Sequence, residues 1–131
     1  MKLRGIELFA GGGGLLLGSS LAGVEHVAAV EWDRWACQTM RENAVAGHPL
    51  VAGLSVIEGD VRAVNWAEVP GASGVDLITG GPPCQPFSAG GLARSADDPR
   101  DMFPAMTEVI AELQPRAFVV ENVKGLTRQA F

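Results

Sequence analysis

Five short apolar runs, each ending on a glycine cluster or on an acidic, thiol or amide side chain, constrain this chain more than any other feature. Read in order, strands are expected over Gly5 to Phe9, His26 to Glu31, Val51 to Glu58, Val75 to Thr79 and Arg116 to Val120. Helical patterns lie between them, over Leu15 to Ala22, Asp33 to Ala46 and Met102 to Leu113. Asp33 is placed to cap the second helix, and Pro115 stands just past the end of the third. Alternating elements with apolar strands imply an α/β fold, a parallel sheet of about five strands with helices on both faces. In such a sheet the carboxyl ends of the strands share one edge, where ligands bind. Gly11 to Gly14, Glu31, Asp60, Cys84 and the pair Glu121-Asn122 all fall there.

The segment Gly80-Gly81-Pro82-Pro83-Cys84-Gln85-Pro86-Phe87-Ser88 puts a cysteine on a rigid turn straight after the fourth strand. Two prolines fix the backbone ahead of the sulfur, and the glycines before them allow a sharp turn. A thiol kept for packing needs none of this, whereas a nucleophile must meet its substrate at a set angle. Phe9-Ala10-Gly11-Gly12-Gly13-Gly14 opens a helix, and Glu31 lies 17 residues beyond Gly14. Glycines admit a ligand close to the backbone, a helix N-terminus favours its negative groups, and an acid at that distance accepts ribose hydroxyls. A tight strand-to-helix turn alone also explains the glycines. The spacing departs from G-x-G-x-x-G, which favours a nucleoside cofactor over a dinucleotide.

Composition narrows the class. The 131 residues are 47% hydrophobic and 19% charged, enough for a single domain with its own core over 1–131. No apolar stretch approaches the roughly 20 residues of a membrane span. Two cysteines and no signal-peptide pattern suit a reducing cytoplasm. A net charge of -5 argues against strong unaided nucleic-acid binding. Cys37 has no metal-spaced His or acidic neighbours and reads as a buried structural thiol, and no metal is expected. Trp35 and Trp66 read as packing residues, and His26 and His48 carry no catalytic signal. Arg100 fits either an anchor for the loop or phosphate, or an ordinary surface position.

Together these motifs resemble the cytosine-5 DNA methyltransferase family. Phe9-Ala10-Gly11-x-Gly13-Gly14 is similar to its motif I, Glu31-Trp32-Asp33 to motif II and Gly59-Asp60-Val61 to motif III. Gly81 to Ser88 is similar to motif IV, and Glu121-Asn122-Val123 to motif VI. The resemblance implies a Rossmann-like fold dependent on S-adenosylmethionine, and a reaction on carbon 5 of a flipped-out cytosine in double-stranded DNA, of the bacterial restriction-modification type. It implies Cys84 as the thiolate adding to carbon 6, and Glu121, if buried and protonated, as the partner of ring nitrogen 3. Asn122 would fix that turn, and Gln85 and Ser88 would sit on a closing loop. Phe9, Gly11, Gly13 and Gly14 would contact the cofactor, with Glu31 on the ribose, Trp32 on the adenine face and Asp60 on the adenine amine. Val61 and Pro82 would line the pocket. No Gln-x-Arg-x-Arg element or target-recognition domain follows motif VI, so a truncated or split form is expected, its DNA-reading half on a missing segment or second subunit. The fifth strand's outer edge would then be unpaired and apolar. Alternatives are a transfer-RNA methyltransferase of the same family and a non-catalytic cofactor-binding subunit.

Overall fold

The computed structural model describes residues 2–83 and 101–124. Its strands are β1 (Leu3–Leu8), β2 (Val24–Glu31), β3 (Ser55–Glu58), β4 (Leu77–Gly80) and β5 (Ala117–Val120). Three helices join them, α1 (Gly14–Leu21), α2 (Arg34–Val45) and α3 (Phe103–Leu113). All four pairings are parallel, in the order β3-β2-β1-β4-β5. The chain thus winds outward from β1 in one direction, returns, and winds outward through β4 in the other. That reversal between β1 and β4 opens a crevice at the strand ends.

Side-chain alternation assigns the two faces. Ile6, Leu8, Ala28, Val30 and Ile78 pack with Ala105, Met106 and Val109 of α3 and with Trp66. Ala29, one residue out of step, packs on the other face with Leu16 of α1 and Met40 of α2. Helices therefore cover both faces, and the strands carry apolar residues on each side as a buried parallel sheet requires.

Local signals explain the boundaries. The Asp33 side chain accepts the Trp35 and Ala36 amides at 3.0 and 2.8 Å and starts α2. Pro104 occupies the first turn of α3, and Gln114, at φ 47°, ends it ahead of Pro115. The third strand is shorter than the sequence suggests. Val51 to Leu54 forms hydrogen-bonded turns, the Val51 amide donating to His48 and the Leu54 amide to Val51, so pairing with β2 starts only at Ser55.

Trp66 is buried as expected, but Trp35 is not a packing residue. It stands exposed at the start of α2 with the Arg34 guanidinium 4.2 Å from its ring centre. Cys37 is fully buried, its thiol donating to the Glu31 carbonyl at 3.2 Å. Among the described residues β5 pairs on one side only, with β4, and Phe118 and Val119 are exposed. No described helix is long and apolar enough to cross a membrane, and no described cluster of side chains has the makings of a metal site.

Candidate active site

The carboxyl ends of β1 to β4 surround a cavity of about 420 Å³. Phe9 and Glu31 form part of its wall, with Trp32, Asp60, Val61 and Arg62 on one side and Gly81, Pro83 and Met102 on the other. A largely apolar cleft with a few convergent polar groups at the switch point is the expected form of a small-molecule site.

The turn from β1 into α1 is shaped by its backbone. Gly11 (φ 55°) and Gly13 (φ 93°) take left-handed conformations that side chains resist. Phe9 adopts φ 54° without being glycine, a strained geometry held where its ring meets both core and cavity. Glu31 fastens this turn. Its Oε2 accepts the Gly11 amide at 2.7 Å, and its Oε1 accepts the Trp32 and Asp33 amides, each at 2.8 Å. Its backbone carbonyl takes the Gly59 amide at 2.9 Å, which adds the turn after β3 to the same assembly. Gly11, Gly13 and Gly14 shape this rim and are not among the cavity-lining residues.

Asp60 begins a short 3-10 turn, Val61–Ala63, by accepting the Arg62 amide at 2.9 Å. The Arg62 guanidinium also grips both its oxygens, at 2.6 to 3.1 Å. These bonds hold the Asp60 carboxyl below the usual carboxylate range. The sequence reading did not identify Arg62; its signal is a cation two residues past an aspartate, on one side of a tight turn.

On the opposite wall β4 runs into Gly81-Pro82-Pro83. A Cβ at Gly80 would lie 2.7 Å from the Leu8 carbonyl oxygen, so only glycine fits where β4 touches β1. Glu121 follows β5 and donates its amide to the Gly80 carbonyl at 2.9 Å. Its side chain covers Gly81, where an added Cβ would stand 3.0 Å from Oε2. The Asn122 side-chain amide reaches the Pro82 carbonyl at 3.4 Å, while its Oδ1 accepts the Val123 amide at 2.7 Å. Glu121 is exposed here. Pro82 is buried, and Pro83 is the proline that faces the cavity. Cys84, Gln85, Ser88 and Arg100 lie outside the described residues. The Met102 amide donates to the Pro83 carbonyl at 3.2 Å, joining the two flanks of that segment.

Phe9, Glu31, Trp32, Asp60 and Val61 are thus brought to one cavity, and Glu121 and Asn122 to the turn that leads into Cys84.

Residues 3–130 match the profile of the C-5 cytosine-specific DNA methylases. The chain is 41% identical to the Type II methyltransferase M.NgoMIV of Neisseria gonorrhoeae over 131 residues, all of this chain and 39% of that protein. It is 39% identical to the Type II methyltransferase M.AquIA of a Picosynechococcus strain over 132 residues, 96% of this chain and 50% of that protein. It therefore spans half or less of the length of these relatives. Among solved structures, a protein described as a DNA modification methyltransferase from an Escherichia coli prophage superposes with a TM-score of 0.76 at 34% identity, over 97% of this chain and 34% of that one. DNMT2 of Spodoptera frugiperda shares the fold, with a TM-score of 0.64 at 24% identity over 98% of this chain and 38% of its own. With its parallel sheet, its cavity and the match over nearly all its length, the chain belongs to the C-5 cytosine-specific DNA methylase family.

Proposed function

We propose that this chain carries the cofactor-binding and base-activating part of a DNA cytosine-5 methyltransferase. The observation that carries the reading is the placement of Glu121 against Gly81, on the turn that forms one wall of the cavity and runs directly into Cys84. An acid, a nucleoside-sized cavity and the turn that precedes a thiol in the sequence then share one sheet edge.

The cavity fits S-adenosylmethionine. Glu31 retains acceptor capacity beyond its three backbone donors for ribose hydroxyls. Trp32 offers an exposed ring for stacking, Asp60 an ionised acceptor for an exocyclic amine, and Val61 with Pro83 an apolar lining. Phe9 and the Gly11, Gly13 and Gly14 turn would close the amino-acid end. When bound, this cofactor supplies an electrophilic methyl group.

The chain's own residues make carbon 5 of cytosine nucleophilic. The Cys84 thiolate adds to carbon 6, and the ring electrons are relieved by a proton or strong hydrogen bond from Glu121 to nitrogen 3. An ordinary thiol, with a pKa of roughly 8.5, is mostly protonated at neutral pH, so its environment must favour the thiolate. Glu121 is exposed in the chain by itself, where a flipped base can reach it. Asn122 holds the turn by its contact with Pro82, and Gln85 and Ser88 close over the base. After carbon 5 gains the methyl group, a base removes its proton, the carbon 6–sulfur bond breaks and the thiolate leaves. The target nucleotide must leave the duplex to reach such a pocket.

Double-stranded DNA is the proposed partner. The acidic balance of the chain, -5, supports a division of labour in which a second segment or subunit provides the basic, base-reading surface. The test is trapping on duplex DNA containing 5-fluorocytosine with S-adenosylmethionine present, because fluorine blocks the final proton removal. A covalent band lost in Cys84→Ala supports the reading. Its absence, even when a basic partner half from a relative is supplied, refutes it.

A further inference from the structure

The buried polar residues among the described ones, Glu7, Ser20, His26 and Thr79, form one cluster beneath the glycine turn. Glu7 of β1 points to the α1 side of the sheet. Its Oε2 accepts the Thr79 hydroxyl of β4, and its carboxyl faces the Leu16 backbone in the first turn of α1. One side chain thus bonds β4 to β1 and lies against the helix that the glycine turn opens. Gly13, the N-cap of that helix, has no capping side chain of its own.

Hydrogen-bond counting favours one neutral state of His26. The Ser19 hydroxyl lies 3.0 and 3.1 Å from the Leu15 and Leu16 carbonyls and 3.2 Å from His26 Nε2. With its single proton on one of the two nearer carbonyls, it presents a lone pair to Nε2, which then carries hydrogen. Nδ1 then accepts the Ser20 hydroxyl at 3.1 Å. His26 is fully satisfied as a neutral ring, and its Nε2 stands 4.0 Å from Glu7, beyond hydrogen-bond reach. A charged Glu7 would therefore have no bonded counter-ion. Among the described residues its partners are His26 on β2, Thr79 on β4 and the Leu16 backbone of α1, with the two serines behind His26. An uncompensated buried charge is costly, and one retained proton removes it.

We propose that Glu7 is a positioning residue held as a buried neutral acid beside neutral His26, and that release of its proton to solvent loosens the glycine turn and weakens cofactor binding. Burial raises the Glu7 carboxyl to about 7 and lowers His26 to about 4, the directions this arrangement requires. The cofactor part of the proposal rests on the methyltransferase reading above; the proton itself does not.

The experiment uses the chain as it is. At pH 6, infrared difference spectra against Glu7→Gln should show a protonated carboxyl band absent from the variant, and nitrogen-15 NMR of the wild type should show His26 as the neutral Nε2–H tautomer. Amide exchange across Gly11 to Leu16, corrected for intrinsic rates, should be slower at pH 6 than at pH 8 in the wild type and pH-independent in Glu7→Gln. Affinity for S-adenosylmethionine should fall about three- to tenfold over the same interval in the wild type only. A charged His26 at pH 6, a missing carboxyl band, or equal protection at the two pH values overturns the proposal; the wild-type NMR decides even where the variant does not fold. If cofactor binds at neither pH while the band and the pH-dependent protection are present, the cofactor reading fails and the buried acid stands.

Discussion

Glu31 Oε2 accepts the Gly11 amide at 2.7 Å, which joins the acidic end of β2 to the glycine turn after β1. The acid that lines the cavity is also the fastener of the glycine turn beside it. Geometry of the one cannot change without the other.

Replacing Glu31 with alanine should therefore affect binding and folding together. Three backbone donors lose a charged acceptor, at about 1.5–3 kcal/mol for a single such bond and less than the sum for all. Affinity for S-adenosylmethionine, measured by calorimetry, should drop at least about tenfold. Thermal unfolding should show a lower midpoint in the same sample. An unchanged midpoint would mean that the turn is held by other contacts.

Arg62→Ala separates the two effects. The Asp60–Arg62 pair reaches solvent, where water screens the attraction and such pairs add little to stability. The midpoint should hardly move. Cofactor affinity should weaken, and more at acid pH than at neutral pH, because Asp60 loses the bonds that keep its carboxyl ionised. Titration calorimetry at two pH values checks this.

Gly80 and Gly81 should respond differently to alanine. At Gly80 the new methyl would meet the Leu8 backbone oxygen at 2.7 Å, which cannot yield without shifting the sheet, so a loss of about 1–3 kcal/mol is expected in urea unfolding. At Gly81 the obstacle is the Glu121 carboxylate at 3.0 Å, the end of a flexible side chain. Stability should be nearly kept while the yield of the 5-fluorocytosine adduct falls.

Stability should depend on pH through Glu7 and His26. Glu7 is raised from 4.5 to about 7, so its contribution is full below pH 4.5 and is lost as pH rises through 7. His26 is lowered from 6.5 to about 4, so its contribution is present above pH 6.5 and is lost as pH falls through 4. Between about pH 4.5 and 6.5 the two slopes oppose each other, leaving a plateau with a further decline toward pH 7 from Glu7 alone. Glu7→Gln should remove that upper decline in denaturation curves taken at successive pH values.

Trp66 and Trp35 test the packing. Trp66→Ala empties a buried core position and should cost about 3–5 kcal/mol, while Trp35→Ala should stay within about 0.5 kcal/mol. Sequence alone gave these two tryptophans the same role, because composition does not say which way a residue at a helix start will face. The same limit applies to Pro82 and Pro83, adjacent residues of which only the second faces the cavity. What was legible followed from period and punctuation: the alternating elements, the Asp33 cap, and the convergence of Phe9, Glu31 and Asp60 at one edge. What was not legible depends on contacts across the fold. Arg62 becomes significant only once Asp60 is seen in its grip, and Glu7 only once its strand is flanked by Thr79 and His26. A lone acid between Ile6 and Leu8 was the available clue, since a strand buried on both faces has no solvent for it.

The bond from the Met102 amide to the Pro83 carbonyl brings the chain back to the point where residues 84–100 depart. It acts as a neck: whatever happens to the length of that excursion, the cavity wall and the start of α3 are already fixed to each other. Closing a longer excursion adds little, about 0.6 kcal/mol for each doubling of length. A change in the number of residues between Pro83 and Asp101 should accordingly leave the sheet and α3 of this chain nearly as stable as before.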